Sequence, residues 1–397
     1  MSLPDFSQPT RDPAFVQDPY PAYDRLRALG PLARWVELDL PCAAGFDTVN
    51  ALLRDRRFGR EMPADLAEPV PERLAPFYAV DALSMLEREP PEHTRLRRLV
   101  TRAFTPRRIE ALAPFIAARA HELVDAFPDG PFDLLPAFAT QIPIDVITTL
   151  LGVPGDRSAD LLAWSHAMVK MYQPDRSRAE EDAAVTATLD FVAYLEALIA
   201  DRRAAPGDDL LSELIAAEAE GDRLSAEELT STCILLLNAG HEATVHAIGN
   251  AVAGILSRGD APGRLFATPE ATAATVEETL RHDPPLHLFT RIALGDIEVE
   301  GHRFARGDRV GLLLGAANRD PARWTDPAQF EPSRHATGQL AFGAGLHFCI
   351  GAPLARLELA TALPILFARC PDLRLAAPPT YADSWHFHGL TALTVTR

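Results

Sequence analysis

Ten residues constrain this chain more than any other stretch: Phe342-Gly343-Ala344-Gly345-Leu346-His347-Phe348-Cys349-Ile350-Gly351. Three glycines surround one cysteine. Glycine permits tight turns and close approach of the backbone to a flat ligand. After Gly351, residues 352–368 are rich in alanine and leucine and predict a helix. Cys349 therefore stands where a helix begins. Free N–H groups and the helix dipole favour an anion there. Such a site stabilises a thiolate, the form of cysteine that binds metal. Two plainer readings remain: a buried cysteine beside an ordinary glycine turn, or a phosphate loop. The lysine and following hydroxyl of a phosphate loop are missing.

The other cysteines, Cys42, Cys233 and Cys370, lie far apart with no Cys-x-x-Cys spacing. That argues against a zinc site and against a disulfide framework, and for a reducing, cytoplasmic setting. The 397 residues are 47% hydrophobic, enough for a large core. No Gly/Ser run, acidic block or internal repeat divides them, so one large domain over 1–397 is expected, with the stretch to Thr10 irregular. That stretch lacks the basic start and apolar run of a secretory signal. No apolar run reaches the ~18 residues of a spanning helix. The net charge of −17 repels phosphates and anionic membranes, so neither nucleic acid nor membrane is an expected partner. Against that background Arg95, Arg97, Arg98, Arg102, Arg107 and Arg108 crowd one short segment.

Periodicity and punctuation predict a helix-dominated chain with small sheets near both ends. Helices are expected at 21–29, 47–54, 90–104, 106–127, in pieces over 142–204, and at 269–281. Ser225 opens a long helix to about Arg258, with the Ser-x-x-Glu capping box completed by Glu228. Strands are expected at 32–36, 42–46, 297–299, 310–314 and 393–395. Residues 60–83, rich in proline, read as a long irregular loop, a form that is often functional. His93 and Arg97 fall on one helical face and suit carboxylates. Glu278 and Arg281, three apart, can touch.

The run Phe-Gly-x-Gly-x-His-x-Cys-x-Gly resembles the ligand loop of the cytochrome P450 family, whose cysteine thiolate is the proximal haem ligand. The resemblance extends over nearly the whole chain. It implies a mainly α fold with small β-sheets and a single large domain. It implies haem b held through Cys349, dioxygen as cosubstrate, and NAD(P)H used only through redox partners. Phe342, Gly343 and Gly351 match loop positions against the haem, and His93, Arg97, Arg291 and His347 match propionate-binding positions. Glu278 and Arg281, completed by Arg334 of Phe330-Glu331-Pro332-Ser333-Arg334, match a structural network that holds the cysteine loop. The arginines near Arg97, with Arg107 and Arg108, would surround the proximal face and dock an acidic ferredoxin-type electron donor.

Within the long helix, Ala239-Gly240-His241-Glu242-Ala243-Thr244 resembles the family's oxygen-binding motif. A mid-helix glycine costs ~1 kcal/mol; Gly240 is expected to loosen the helix where oxygen fits. Glu242 matches the acidic residue that relays protons. Position 243 departs from the pattern, because the family usually has a threonine there and this chain has Ala243. Thr244 points about 100° away on an ideal helix. A hydroxyl on the substrate, or water held by Glu242 and Thr244, is the favoured substitute. A reaction needing less proton delivery, such as oxidative coupling, is the third option.

By resemblance the substrate meets the 60–83 loop, residues 164–172, the long helix at Leu236 and Ala239, His287, Leu288 and Phe289, and Trp385 and Phe387. His287 and His386 could orient a substrate oxygen, and His388 takes a place where relatives carry arginine or histidine. The implied activity is insertion of one oxygen atom into a hydrophobic small molecule in secondary metabolism, with electrons from a separate ferredoxin and reductase. Oxidative coupling, dehydrogenation and a non-catalytic haem-binding role are the alternatives.

Overall fold

The computed structural model describes residues 3–173, 176–217, 223–259 and 262–397. They are mainly α-helical, with small β-sheets. The chain divides into two compact units, each assembled from separate stretches. One holds residues 1–66, 117–139 and 243–397; the other holds 67–116 and 140–242.

The first unit carries the sheets. Strands β1 (Asp5–Phe6), β2 (Ala33–Trp35), β3 (Leu40–Ala43), β4 (Phe58–Gly59), β5 (Leu288–Ala293) and β6 (Arg309–Leu313) form one sheet in the order β1-β2-β3-β6-β5-β4. The β1–β2 and β3–β6 pairs are parallel and the others antiparallel. The sequence reading anticipates β2, β3 and β6 but not β5, whose residues read as a pocket wall. Alternation explains the mixture: Leu288 packs toward the Trp35 cluster, and Phe289 toward the Phe58 cluster. The strands Ile297–Val299 and His302–Phe304 form a hairpin over Glu300 and Gly301, both at positive φ, which suits the right-handed twist of the strands. Trp35 lies at the centre of one core cluster. It is fully buried, its Nε1–H donates to the Gln8 carbonyl at 2.8 Å, and its ring lies 5.1 Å from that of Trp385.

The second unit, among the described residues, is helical. Leu151, Val153, Leu195, Leu198, Leu211, Cys233 and Leu237 meet in its interior. Residues 60–83 are less irregular than expected. The helix Ala75–Asp81 begins with proline in its first turn and anchors itself through Phe77, which is 2% exposed. Helix Arg178–Ala204 is long and apolar enough to cross a membrane by length and composition, yet Phe191, Leu195, Leu198 and Ile199 are already covered by protein. The long helix is observed at Ala226–Ser257. Ser225 N–H donates to Glu228 Oε2 at 2.9 Å, and Glu228 N–H to Ser225 Oγ at 3.1 Å, completing the capping box.

Candidate active site

Cys349 is exposed, whereas Cys42, Cys233 and Cys370 are buried. Burial pushes the Cys42 and Cys233 thiols up to about 12, which keeps them protonated and inert. The loop around Cys349 closes on itself. Cys349 N–H donates to the Phe342 carbonyl at 3.0 Å and Phe348 N–H to that of Gly345 at 3.2 Å. Gly343 and Gly345 stand at φ +67° and +73°, where a side chain is disfavoured. At Gly345 a Cβ would also fall 2.4 Å from the Leu53 carbonyl oxygen and 3.0 Å from Arg54 Cα. The loop is thus fitted against the end of helix Phe46–Arg54 by backbone on both sides. Gly351 is the N-cap of helix Ala352–Arg369, which puts Cys349 near its positive end. A Cβ on Gly351 would sit 3.8 Å from Cys349 Sγ, an ordinary contact, so sterics alone do not demand this glycine.

The buried framework behind the loop is built from ion pairs. Arg281 Nε and Nη2 donate to the two Glu278 oxygens at 2.7 Å each, with both side chains wholly buried. Arg334 Nε donates to Glu278 Oε1 at 3.2 Å, and Glu331 N–H to the same oxygen at 2.7 Å. Arg281 also donates to the carbonyls of Asn318, Pro327 and Gln329. The expected trio does come together. Two members went unnoticed in the sequence. Asn318, 0% exposed, accepts the Leu340 N–H at 2.7 Å, two residues before Phe342. Glu277 binds the Arg356 guanidinium, which lies 4.6 Å over the Phe342 ring. Neither has a sequence signal beyond its neighbours in the chain.

In the same unit Arg291 stands on β5, 2% exposed, its Nη1 donating to the Thr290 carbonyl at 3.0 Å, and His347 is half-buried in the turn Gly345–His347. In the second unit His93, 1% exposed, and half-buried Arg97 lie one turn apart on helix Glu92–Ala103. Within the first unit, a cysteine at a helix start, an arginine and an imidazole are groups of the kind that hold a haem's iron and carboxylates, and His93 with Arg97 is the second unit's own pair suited to carboxylates.

Along residues 239–244 the long helix is unbroken, which corrects the expectation of a helix loosened at Gly240. The glycine has a packing reason: a Cβ there would meet Ile147 side-chain carbons at 2.8 Å. Leu236 is buried, Ala239 exposed and Ala243 half-buried, while Thr244 is 5% exposed. The helix therefore turns 239 outward and Thr244 inward, with 243 between them. Glu242 Oε1 lies 3.1 Å from His166 Nε2 and 3.5 Å from His241 Nε2.

Two pocket expectations are corrected. Trp385 is a core residue, tilted against Trp35 at 5.1 Å and Phe15 at 5.6 Å. His287 is wholly buried with Nδ1 3.0 Å from Tyr23 Oη, so its polar atoms serve internal partners. It belongs to a cluster around Asp283, whose carboxylate accepts from Tyr20 Oη and Tyr381 Oη at 2.6 Å each and lies 3.4 Å from His388 Nε2. Burial alone would raise the Asp283 carboxyl, but His388, Arg319, His287 and the Tyr20 hydroxyl bring it down to about 2. Burial holds His287 and His388 below the usual histidine range. Leu288, Phe289 and Phe387 remain half-buried, with Arg60 4.6 Å over the Phe289 ring.

The arginine segment is also partly committed. Arg95 binds Glu228 and the Arg223 carbonyl, and Arg108 binds Glu213 and Asp208. Arg98, Arg102 and Arg107 are exposed.

The family model described as cytochrome P450 matches residues 270–371. The chain is 41% identical over 373 residues to the cytochrome P450 monooxygenase PikC of Streptomyces venezuelae, covering 92% of this chain and 87% of that one. It is 38% identical over 377 residues to the 6-deoxyerythronolide B hydroxylase of Saccharopolyspora erythraea, covering 91% of each. Among solved structures, P450BioI in complex with an acyl carrier protein ligated to hexadec-9Z-enoic acid superposes with a TM-score of 0.91 at 35% identity, covering 97% of this chain and 99% of that one.

Proposed function

The chain belongs to the cytochrome P450 family, and from that membership we propose that it hydroxylates a hydrophobic, hydroxyl-bearing small molecule with electrons from a separate ferredoxin and reductase. The enzyme is a haem monooxygenase of the P450 type, using dioxygen. The observation that carries the finer reading is the 243–244 pair. Ala243 is half-buried and offers no hydroxyl, and Thr244 is turned into the protein.

Cys349 would supply the sulfur ligand, and His93, Arg97, Arg291 and His347 would hold the propionates. Bound there, a thiolate-ligated haem supplies dioxygen activation, the thiolate favouring O–O cleavage. The rest is the protein's work. Glu242 would relay protons through its carboxylate. His166, on the exposed side of that carboxylate, connects it to solvent. With alanine at 243, the last hydroxyl in the path must come from the substrate or from a water. Thr244 faces inward, which favours the substrate. Half-buried Phe387 suits an apolar scaffold around that hydroxyl, and of the adjacent pair Leu288 and Phe289, which face opposite ways, one at most would join it. Exposed Arg98, Arg102 and Arg107 are the candidate dock for an acidic electron donor.

A screen of hydroxylated natural-product scaffolds and their deoxy analogues, read by haem absorbance and then by coupled turnover, tests the proposal. The hydroxylated member of a pair should give the higher ratio of product to reducing equivalents. Equal ratios across pairs would overturn the role of the substrate hydroxyl. A purified protein whose reduced carbonyl form lacks the red-shifted Soret band would overturn the assignment of Cys349. Product mass separates hydroxylation, which adds one oxygen, from coupling or dehydrogenation, which removes two hydrogens.

A further inference from the structure

His166, His241 and Glu242 form a second constellation, which shares Glu242 and His166 with the proposed proton relay and adds His241. All three belong to the second unit. His166 stands on helix Ser158–Val169, and the other two on the long helix. Their ligand atoms lie within 4.8 Å of one another. The buried member is oriented. His241 Nδ1 lies 2.7 Å from the Leu237 carbonyl oxygen. A carbonyl only accepts, so Nδ1 carries the hydrogen and the neutral ring presents its lone pair at Nε2. That Nε2 is buried, has no hydrogen-bond partner and faces Glu242 Oε1 at 3.5 Å. Two acceptors face each other there, an arrangement that a cation between them would relieve. His241 is 1% exposed and His166 is 55% exposed on its side chain, so the site is built at one end and open at the other.

We propose that these three side chains bind one divalent transition-metal cation, with zinc as the best match. Two imidazoles and a carboxylate are ordinary zinc ligands, leaving further positions to water. Ligand atoms around a tetrahedral zinc with bonds of roughly 2.0–2.1 Å stand roughly 3.3 Å apart. The carboxylate-to-histidine spacings of 3.1 and 3.5 Å already match this. The exposed His166 ring supplies the remaining adjustment. The hydrogen bond from His241 Nδ1 to a carbonyl fixes tautomer and ring direction, as in established metal-binding histidines. Occupancy would take Glu242 Oε1 out of proton transfer and arrest turnover. That consequence, unlike the binding itself, rests on Glu242 acting as the proton relay.

The test titrates untagged, haem-loaded protein with zinc sulfate by calorimetry, with a chromophoric zinc indicator as competitor. One equivalent should bind to the native protein. His241→Gln and His166→Ala should each weaken binding about tenfold or more, since loss of even an outer-shell partner typically costs 10–100-fold. His166→Ala alters an exposed side chain and keeps the test valid if His241→Gln folds poorly. Affinity unchanged in His166→Ala, or no binding to the native protein, would overturn the site. The relay is read separately. If zinc binds but Glu242→Gln turns over at the native rate, the relay reading fails and the site stands. If zinc does not bind and Glu242→Gln is impaired, the site fails and the relay stands.

Discussion

Asp283, His287 and His388 make one cluster; His166, His241 and Glu242 make another. Each joins two imidazoles to one carboxylate, but their surroundings differ. Around Asp283 all three side chains are buried, and both carboxylate oxygens are taken by tyrosine hydroxyls at 2.6 Å. The Tyr381 ring stacks on His388 at 3.9 Å, and Arg319 lies 3.4 Å over the Tyr20 ring. Only His388 Nδ1 is left without a partner there. Around Glu242 one imidazole reaches solvent, and the buried His241 Nε2 is unsatisfied. The same donor set is thus consumed internally around Asp283, while around Glu242 a buried ring nitrogen is left unsatisfied, the arrangement on which the proposed chemistry rests.

The sharpest way to break this comparison is to remove the carboxylates in turn. Asp283→Ala strands two tyrosine hydroxyls and two imidazoles in the interior and should cost about 3–5 kcal/mol of folding stability, measured by urea unfolding of the haem-loaded protein. His166→Ala, at an exposed position, should stay within about 0.5 kcal/mol. Similar costs at the two sites would end the distinction. Second in size is Glu242→Gln. Loss of a positioned acid–base group should lower turnover about 100-fold, with stability changed by less than about 1 kcal/mol. A variant that unfolds but keeps its specific activity would reverse the assignments.

What the sequence made legible follows the same division. The cysteine loop, its helix and the Glu278–Arg281 pair could be read because their constraints are local: positive φ at glycines, a helix start, an i, i+3 pair; Arg334, 56 residues from Glu278, could be read only through the family motif. Asn318 and Glu277 could not be read, because each acts across a gap of twenty or more residues. His287 and Trp385 depart from the expected pocket for a related reason. His287 lies just before β5, and nothing local says that it points to Tyr23 or that Trp385 packs on Trp35. The helix at Ala75–Asp81 was hidden by prolines that start it rather than break it.

Acid sensitivity sharpens the comparison further. Burial keeps His287 and His388 below the ordinary value of 6.5, so their contribution to stability is complete above that pH. It is lost as pH falls, because only the unfolded chain takes up the protons. Each ring then removes up to about 1.4 kcal/mol per pH unit below 6.5. Asp283, held at about 2 against an ordinary 3.8, adds its own loss only below the carboxylate range. His388→Phe should therefore flatten the stability profile between pH 6.5 and 5. An unaltered slope would show that the closed cluster does not govern it.

The smallest expected effect is the most informative about this chain's own chemistry. Ala243→Thr adds one hydroxyl and one methyl at a half-buried helix position, one residue beyond the Glu242 carboxylate. Threonine costs up to ~0.7 kcal/mol in helix propensity, and its hydroxyl can bond back to the helix carbonyl four residues earlier. Stability should therefore barely move. The ratio of product to reducing equivalents should move by a few-fold, and its direction should depend on the substrate. With a deoxy substrate the new hydroxyl completes the proton path and the ratio rises. With a hydroxylated substrate two hydroxyls compete for one place and the ratio is flat or falls. A rise with both would mean that water, not substrate, fills the path in the native enzyme, and no change with either would remove position 243 from proton delivery.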